Sequence, residues 1–293
     1  MIHPAITGAQ PLVSVVIPLY QKVRHIAAAL AVAFRSCHQA NAAFELVVVD
    51  DGSTDGSGAA VQDWAAADPA HLSALRLIRQ ENRGAAAARN TGWAAARGEV
   101  ILFLDADDRW AEHHVSEILV LMADFPNAAL YADAWQEISA NHIERQHDFG
   151  IGSDRRGPLS CFFEAMSSGP MIVSSSTAAT WKKCLIESQG FPEGVQHGED
   201  KIGWGRLALL GEVVWSPRIG AVWDKSADNR SDKDLCAPPR TAWRDFLLAA
   251  LAGPTLSTTT RRNIRMAVAV ENACLGGRLK VFSKETPALF AET

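Results

Sequence analysis

Four short apolar runs punctuate the first hundred or so positions: Leu12–Ile17 (LVSVVI), Phe44–Val49 (FELVVV), Leu75–Ile78 (LRLI) and Val100–Leu104 (VILFL). Alternation of apolar and polar residues is expected where one sheet face meets water. Unbroken, β-branched runs of this length instead predict strands of a parallel sheet covered on both faces. Between them, Ala-rich stretches at about Lys22–His38, Asp55–Ala67 and Ala85–Arg97 predict helices, with Gly98 placed as a terminating glycine. The resulting β-α-β-α-β-α-β order predicts a doubly wound, mostly parallel α/β sheet.

The second half is less regular. Pro170–Thr177 (PMIVSSST) predicts a strand, Trp181–Ser188 and Glu199–Leu210 predict helices, and Val213–Trp215 and Ala221–Trp223 predict two short strands. The polar segment DKSADNRSDKD, from Asp224, interrupts the apolar pattern and sets a boundary near residue 225. Residues 1–225 are expected to form the α/β domain and 226–293 a helical extension, with helices at Arg240–Leu251 and Thr260–Leu275.

Composition narrows the class. At 293 residues, 48% hydrophobic and 21% charged, the chain can bury a substantial core as one large domain or two ordinary ones. No apolar run approaches the ~18 residues needed to span a bilayer, and Met1–Pro11 lacks a signal-like pattern. A net charge of −5, from 28 Lys and Arg against 33 Asp and Glu, argues against nucleic acid as a partner. The cysteines at 37, 161, 184, 236 and 274 form no Cys-x-x-Cys pair, which predicts neither a disulfide framework nor structural zinc and points to the reduced cytoplasm.

Candidate chemistry gathers at strand ends, where open α/β sheets bind ligands. Asp105-Ala106-Asp107-Asp108 closes the fourth run. Three crowded carboxylates repel one another unless a cation or hydrogen-bond donors compensate them, and their hard oxygens suit magnesium or manganese. An isolated D-x-D is as readily a solvated turn, but this one follows VILFL. Asp50-Asp51-Gly-Ser-Thr-Asp55 closes the second run and is either a strand-to-helix turn or a nucleotide contact. Neither a Gly-x-Gly-x-x-Gly nor a P-loop pattern is present. Arg83 and Arg89 lie in ENRGAAAARNTGWAAARG, where small residues permit close helix packing and a guanidinium can reach an anion. Glu199-Asp200 opens a helix, as an N-terminal charge device or as a general base. His113, His114 and Glu117 read as a surface helix rather than a metal cluster, Ser174–Ser176 as a polar strand, and Trp110, Trp204 and Trp223 as core or as stacking platforms.

Taken together, VSVVIPLYQK (Val13–Lys22), ELVVVDDGSTD (Glu45–Asp55), ENRGAAAARNTGWAAARGEVILFLDADD (Glu81–Asp108) and GED (Gly198–Asp200) resemble the family 2 glycosyltransferases, inverting enzymes of the GT-A fold, from about Pro11 to Trp223. The resemblance implies a nucleotide-sugar donor, a UDP-sugar foremost, and transfer of a single sugar to a saccharide, lipid-linked or other hydroxyl acceptor in cell-surface polysaccharide or glycoconjugate synthesis. It implies that Pro18, Tyr20 and Asp51 hold the base, that Arg83 or Arg89 binds the nucleotide, and that Asp105 lies near the ribose and metal. Asp107 is implied at the manganese or magnesium ion, and Asp200 as the general base.

There are departures. Gln21 stands where the family has Asn after its tyrosine, Asp224 stands where a histidine often follows an aromatic, and the Gln-x-x-Arg-Trp motif of processive members is missing. These leave a non-catalytic sugar-nucleotide-binding relative as an alternative. A sugar-nucleotide pyrophosphorylase fits less well, because VSVVIPLYQK holds no glycine. Past residue 225 the apolar stripe Ile264, Ala267, Val268 and Leu275 predicts packing on the domain or on a second subunit. Its opposite face, with Arg261, Arg262 and Arg265, is suited to anionic lipid at the inner face of the membrane.

Overall fold

The computed structural model describes residues 13–139, 142–146, 156–168, 171–195, 197–225, 241–253 and 256–275. The four apolar runs form β1 (Val13–Leu19), β2 (Phe44–Asp50), β3 (Leu75–Arg79) and β4 (Val100–Phe103). They pair in parallel in the order β3-β2-β1-β4, with Val13 of β1 level with both Phe44 and Val100. Between them run α1 (Ile26–Gln39), α2 (Ser57–Ala66), the short α3 (Pro69–Ala74) and α4 (Ala85–Ala95). Successive strand residues face opposite ways. Val13, Val15 and Ile17 therefore share a core with Ile26, Leu30 and Ala33 of α1, while Val16 packs on the other side with Ala86 of α4. Burial on both faces explains why these strands read as unbroken apolar runs.

The alanine-rich α4 rides very close to the sheet. A Cβ on Gly92 would lie 2.4 Å from Cγ1 of Val16 and 3.3 Å from Cγ2 of Val49. Gly92→Ala is expected to destabilise the fold by about 1–3 kcal/mol through overpacking, read as a lower denaturation midpoint. An unchanged midpoint would show that the helix lifts off without cost. Gly98 does not terminate this helix. The last turn closes at Ala96, whose amide donates to Gly92 O at 2.9 Å, and the Gly98 amide instead donates to Ser14 Oγ at 2.8 Å.

The rest of the chain adds β5 (Arg109–Trp110), α5 (His114–Asp124), β6 (Leu130–Ser139), β7 (His142–Gln146), β8 (Gly157–Pro158), α6 (Phe162–Ser168), β9 (Ala179–Trp181), α7 (Lys182–Ser188), α8 (Glu199–Leu210) and β10 (Val213–Asp224). These extend the sheet to β3-β2-β1-β4-β9-β6-β10-β5, with β7 on β6 and β8 on β10. β9 is antiparallel to β4 and β6, whereas β10 is parallel to β6. Three expectations change here. Residues 171–178 form turns rather than a strand, because the Ser174 amide donates to Thr177 Oγ1 and the Thr177 amide to Ser174 O, each at 3.1 Å. Hydroxyl side chains of this kind draw the backbone away from a sheet ladder; Pro170 lies outside the described residues. Val213–Trp215 and Ala221–Trp223 belong to one strand, whose register shifts between Ser216 and Ala221 where Pro217 cannot donate.

The third change concerns α5. His114 is fully buried, with Nδ1 2.7 Å from Asp133 Oδ2 on β6. Gly220 on β10 makes room for this pair, since a Cβ there would overlap the Asp133 carboxylate. Burial raises the Asp133 carboxyl above its ordinary range, against the pull of His114. Glu117 pairs with Arg156 Nε at 3.0 Å. The histidines therefore belong to a buried structural pair and its surroundings.

Beyond residue 225, α9 (Ala242–Ala252) and α10 (Thr258–Leu275) bury Trp243, Leu247, Ile264 and Ala267 in one core with Phe162, Phe163 and Met166 of α6 and Trp204 and Leu207 of α8. The Arg261 guanidinium is taken up by Leu251 O and Gly253 O at 2.8 and 3.1 Å, whereas Arg262 and Arg265 are exposed. Residues 226–240, most of the polar segment, lie outside the described residues. No described helix is long and apolar enough to cross a membrane.

Candidate active site

The chain leaves β4 into Asp105–Asp108, and each carboxylate of this acidic turn meets a different partner. Asp105 Oδ1 accepts from Arg89 Nη2 at 2.9 Å, and Asp107 Oδ2 lies 2.7 Å from Lys22 Nζ. Asp108 accepts from the Ser176 hydroxyl, which itself receives the Asp105 amide at 3.1 Å. Ser176 O in turn takes the Trp110 indole N–H at 2.6 Å, so the 171–178 turn clamps the acidic segment from behind. Burial, reinforced by Asp105 and Asp107, pushes Asp108 well above the usual carboxylate range. The charge crowding is thus relieved by two ion pairs and by the hydroxyl that donates to the third carboxyl.

Arg89 and Arg83, which competed for one role, are separated by their surroundings. The Arg89 side chain is 5% exposed and bridges two elements, since its Nη1 donates to Glu199 Oε1 at 3.2 Å while Nη2 holds Asp105. Burial alone would lower its pKa, but Asp105, Glu199 and Asp200 outweigh that and raise it further. Arg89 is a fixed tie between the end of β4 and the first turn of α8. Arg83 is 55% exposed and pairs with Glu193 at 2.5 Å, beside the loop that Asn90 anchors through the Phe191 amide and carbonyl, each at 2.9 Å.

The other expected residues gather at the adjoining ends of β1 and β2. Pro18 is half-buried opposite Val49, Tyr20 is 45% exposed, and the Asp51 amide donates to Leu19 O at 2.8 Å. The Asp51 carboxylate organises the loop after β3, accepting from Gln80 Nε2 (2.7 Å), the Arg83 amide (3.0 Å) and the Gly84 amide (2.8 Å). Gln21, the departure from the family's Asn, has φ 55° and accepts the Thr54 and Asp55 amides through Oε1 at 3.0 Å. Left-handed backbone favours Asn, but the longer amide still caps the turn before α2. Asp224, the other departure, is buried and pairs with Arg109 at 2.7 Å.

Glu199 and Asp200 open α8. Burial and the neighbouring Asp200 raise the Glu199 carboxyl, with Arg89 opposing. Asp200 is half-buried and its Oδ1 accepts the Lys201 amide at 2.7 Å. Adjacent helical residues diverge by about 100°, so Glu199 takes the guanidinium and Asp200 is set on a different face. Of the tryptophans, Trp110 and Trp204 are core, and Trp223 is half-buried against Trp135 at 5.6 Å. Sequence reasoning passed over Lys22, Ser176, Asn90 and Glu193. Lys22, Asn90 and Ser176 lay in segments already singled out and Glu193 in none, and nothing in the sequence marked their roles because each partner lies far away along the chain.

An acidic turn at the carboxyl end of β4 in this mostly parallel sheet, tied by Arg89 to a helix that opens on two carboxylates, defines a GT-A-type α/β protein. TarS of S. aureus (residues 1–349, in complex with UDP-GlcNAc) superposes with a TM-score of 0.72 at 16% identity over 89% of this chain and 72% of that one. The mannosyltransferase PcManGT of Pyrobaculum calidifontis, in complex with GDP-Man and Mn2+, gives 0.64 at 23% identity over 92% and 75%. Glycosyl transferase family 2 matches residues 14–170, more than half of the chain, and the chain belongs to that family. An undecaprenyl-phosphate 4-deoxy-4-formamido-L-arabinose transferase of Aeromonas hydrophila is 38% identical over 96 residues, 33% of this chain. That match spans only 29% of the relative's own length.

Proposed function

We propose that the protein moves a single sugar from a nucleoside-diphosphate sugar, a UDP-sugar foremost, to a hydroxyl acceptor with inversion at the anomeric carbon. The observation that carries this reading is the Arg89 tie, which brings the acidic turn after β4 and the carboxylate pair of α8 into one site. Pro18, Tyr20 and Asp51 would flank the base, and the exposed Arg83 is the guanidinium placed to meet the nucleotide. Asp200 would take the proton of the acceptor hydroxyl as its oxygen bonds to the anomeric carbon and the bond to the diphosphate breaks. One such displacement inverts configuration and needs no protein nucleophile.

The donor set suits a divalent cation. Among the described residues no group of three or more His, Cys, Asp or Glu side chains is arranged to hold a metal. Asp105 and Asp107 nevertheless offer hard carboxylate oxygens, 34% and 14% exposed. Magnesium or manganese typically binds through one or two carboxylates together with substrate phosphates and water. When bound, such an ion supplies Lewis-acid stabilisation of the departing diphosphate. The acceptor is read as saccharide or lipid-linked, in keeping with the undecaprenyl-phosphate in the name of the Aeromonas relative. Asp107→Ala is expected to abolish manganese-dependent binding of UDP in calorimetric titrations. Full metal-dependent affinity in that variant would remove the assignment.

A further inference from the structure

Lys22 occupies the position on Asp107 that a cation would take. Its Nζ lies 2.7 Å from Oδ2, and the two side chains are only 11% and 14% exposed. The backbone that carries it is held on both sides. The Lys22 amide donates to Ser57 Oγ at 2.8 Å, and its carbonyl accepts the His25 and Ile26 amides at 2.9 and 3.0 Å as α1 begins. The ammonium is therefore delivered from a fixed Cα just past β1, the strand that pairs with β4.

The three compensations in the acidic turn differ in how readily they can be exchanged. Arg89 is sealed in place and holds Glu199 with its other arm. Asp108 is buried and clamped by the Ser176 hydroxyl. Lys22 has a flexible stem and a compact head whose donors rotate freely, so it can leave one anion for another without moving its backbone.

We infer that Lys22 is an internal counter-ion of Asp107, displaced when a divalent cation enters with the donor and then paired with the donor's diphosphate. This deepens the donor-site reading and rests on it. A metal ion arriving alone must break a charge-assisted hydrogen bond and strand the ammonium, whereas one arriving with a diphosphate leaves Lys22 a new anionic partner. Metal and nucleotide consequently reinforce each other's binding, and the coupling is reciprocal.

The test is a manganese titration of metal-free protein, followed by the electron paramagnetic resonance signal of free Mn2+, with and without UDP or GDP. Lys22→Met is expected to bind manganese alone roughly ten- to a hundredfold more tightly than wild type, the range for removing a charged hydrogen bond. Lys22→Arg keeps the competing charge and stays near wild type. The gain in manganese affinity that nucleotide gives is expected to shrink in Lys22→Met. If Lys22→Met does not fold, Lys22→Gln makes the same comparison with a neutral polar head. Wild type that binds manganese with nucleotide, beside a neutral variant that binds manganese alone no more tightly, would overturn this inference and leave the donor site standing. No manganese binding by any of these proteins, even with UDP or GDP, would sink both.

Discussion

Asparagine in place of Asp200 is expected to leave donor binding near normal and to lower sugar transfer by roughly two to four orders of magnitude, the span for losing a general base. The substitution is nearly isosteric, and an amide oxygen can still accept from the Lys201 amide that Asp200 now holds at 2.7 Å. The start of α8 is therefore preserved while proton uptake is lost. Glu199 is a poor substitute, because its carboxylate is already engaged by Arg89 at 3.2 Å. Calorimetry with nucleotide and a turnover assay separate the two effects. Transfer within a few fold of wild type would show that another group takes the proton.

The second large effect is expected at Arg89. Methionine there keeps much of the side chain's length but strands two carboxylates, Asp105 and Glu199, beside each other's field. Removing one member of a buried ion pair typically costs about 3–5 kcal/mol. Because Asp105 is a third exposed, the expected loss lies near the lower end, about 3 kcal/mol, read from chemical denaturation. Lysine should restore part of the stability but little of the transfer, since one point charge cannot hold both carboxylates in the geometry of a planar fork. A methionine variant that unfolds at the wild-type midpoint would show that β4 and α8 are aligned by something else.

Much of the first half was legible in the sequence because its signals are local. The runs around Val15, Val47, Leu77 and Ile101 became strands within two residues of their expected ends, and Glu199–Leu210 became a helix over its full expected length. Where the reading missed, a distant partner or a side-chain-to-backbone bond decided. The segment before Ala179 contains Ile172, Val173 and Thr177, yet the hydroxyls of Ser176 and Thr177 bind the acidic turn and the Ser174 backbone, and no strand forms. His114 sits on a helix that also carries Ser116, Glu117 and Asp124, but it is buried because Asp133, on a strand without a clear sequence signal, lies beneath it.

By itself the sequence determined the parallel half of the sheet, the acidic ends of β2 and β4 and the carboxylates that open α8, since strand length, apolar continuity and helix starts are set by neighbouring residues. Only the tertiary structure decided which charge meets which. Arg89 reaches Asp105 and Glu199, Lys22 reaches Asp107 and Ser176 reaches Asp108 across separations of up to 110 residues. Electrostatic pairing falls off over a few ångströms and ignores chain order, so these partners become visible only once the strands have brought their ends together.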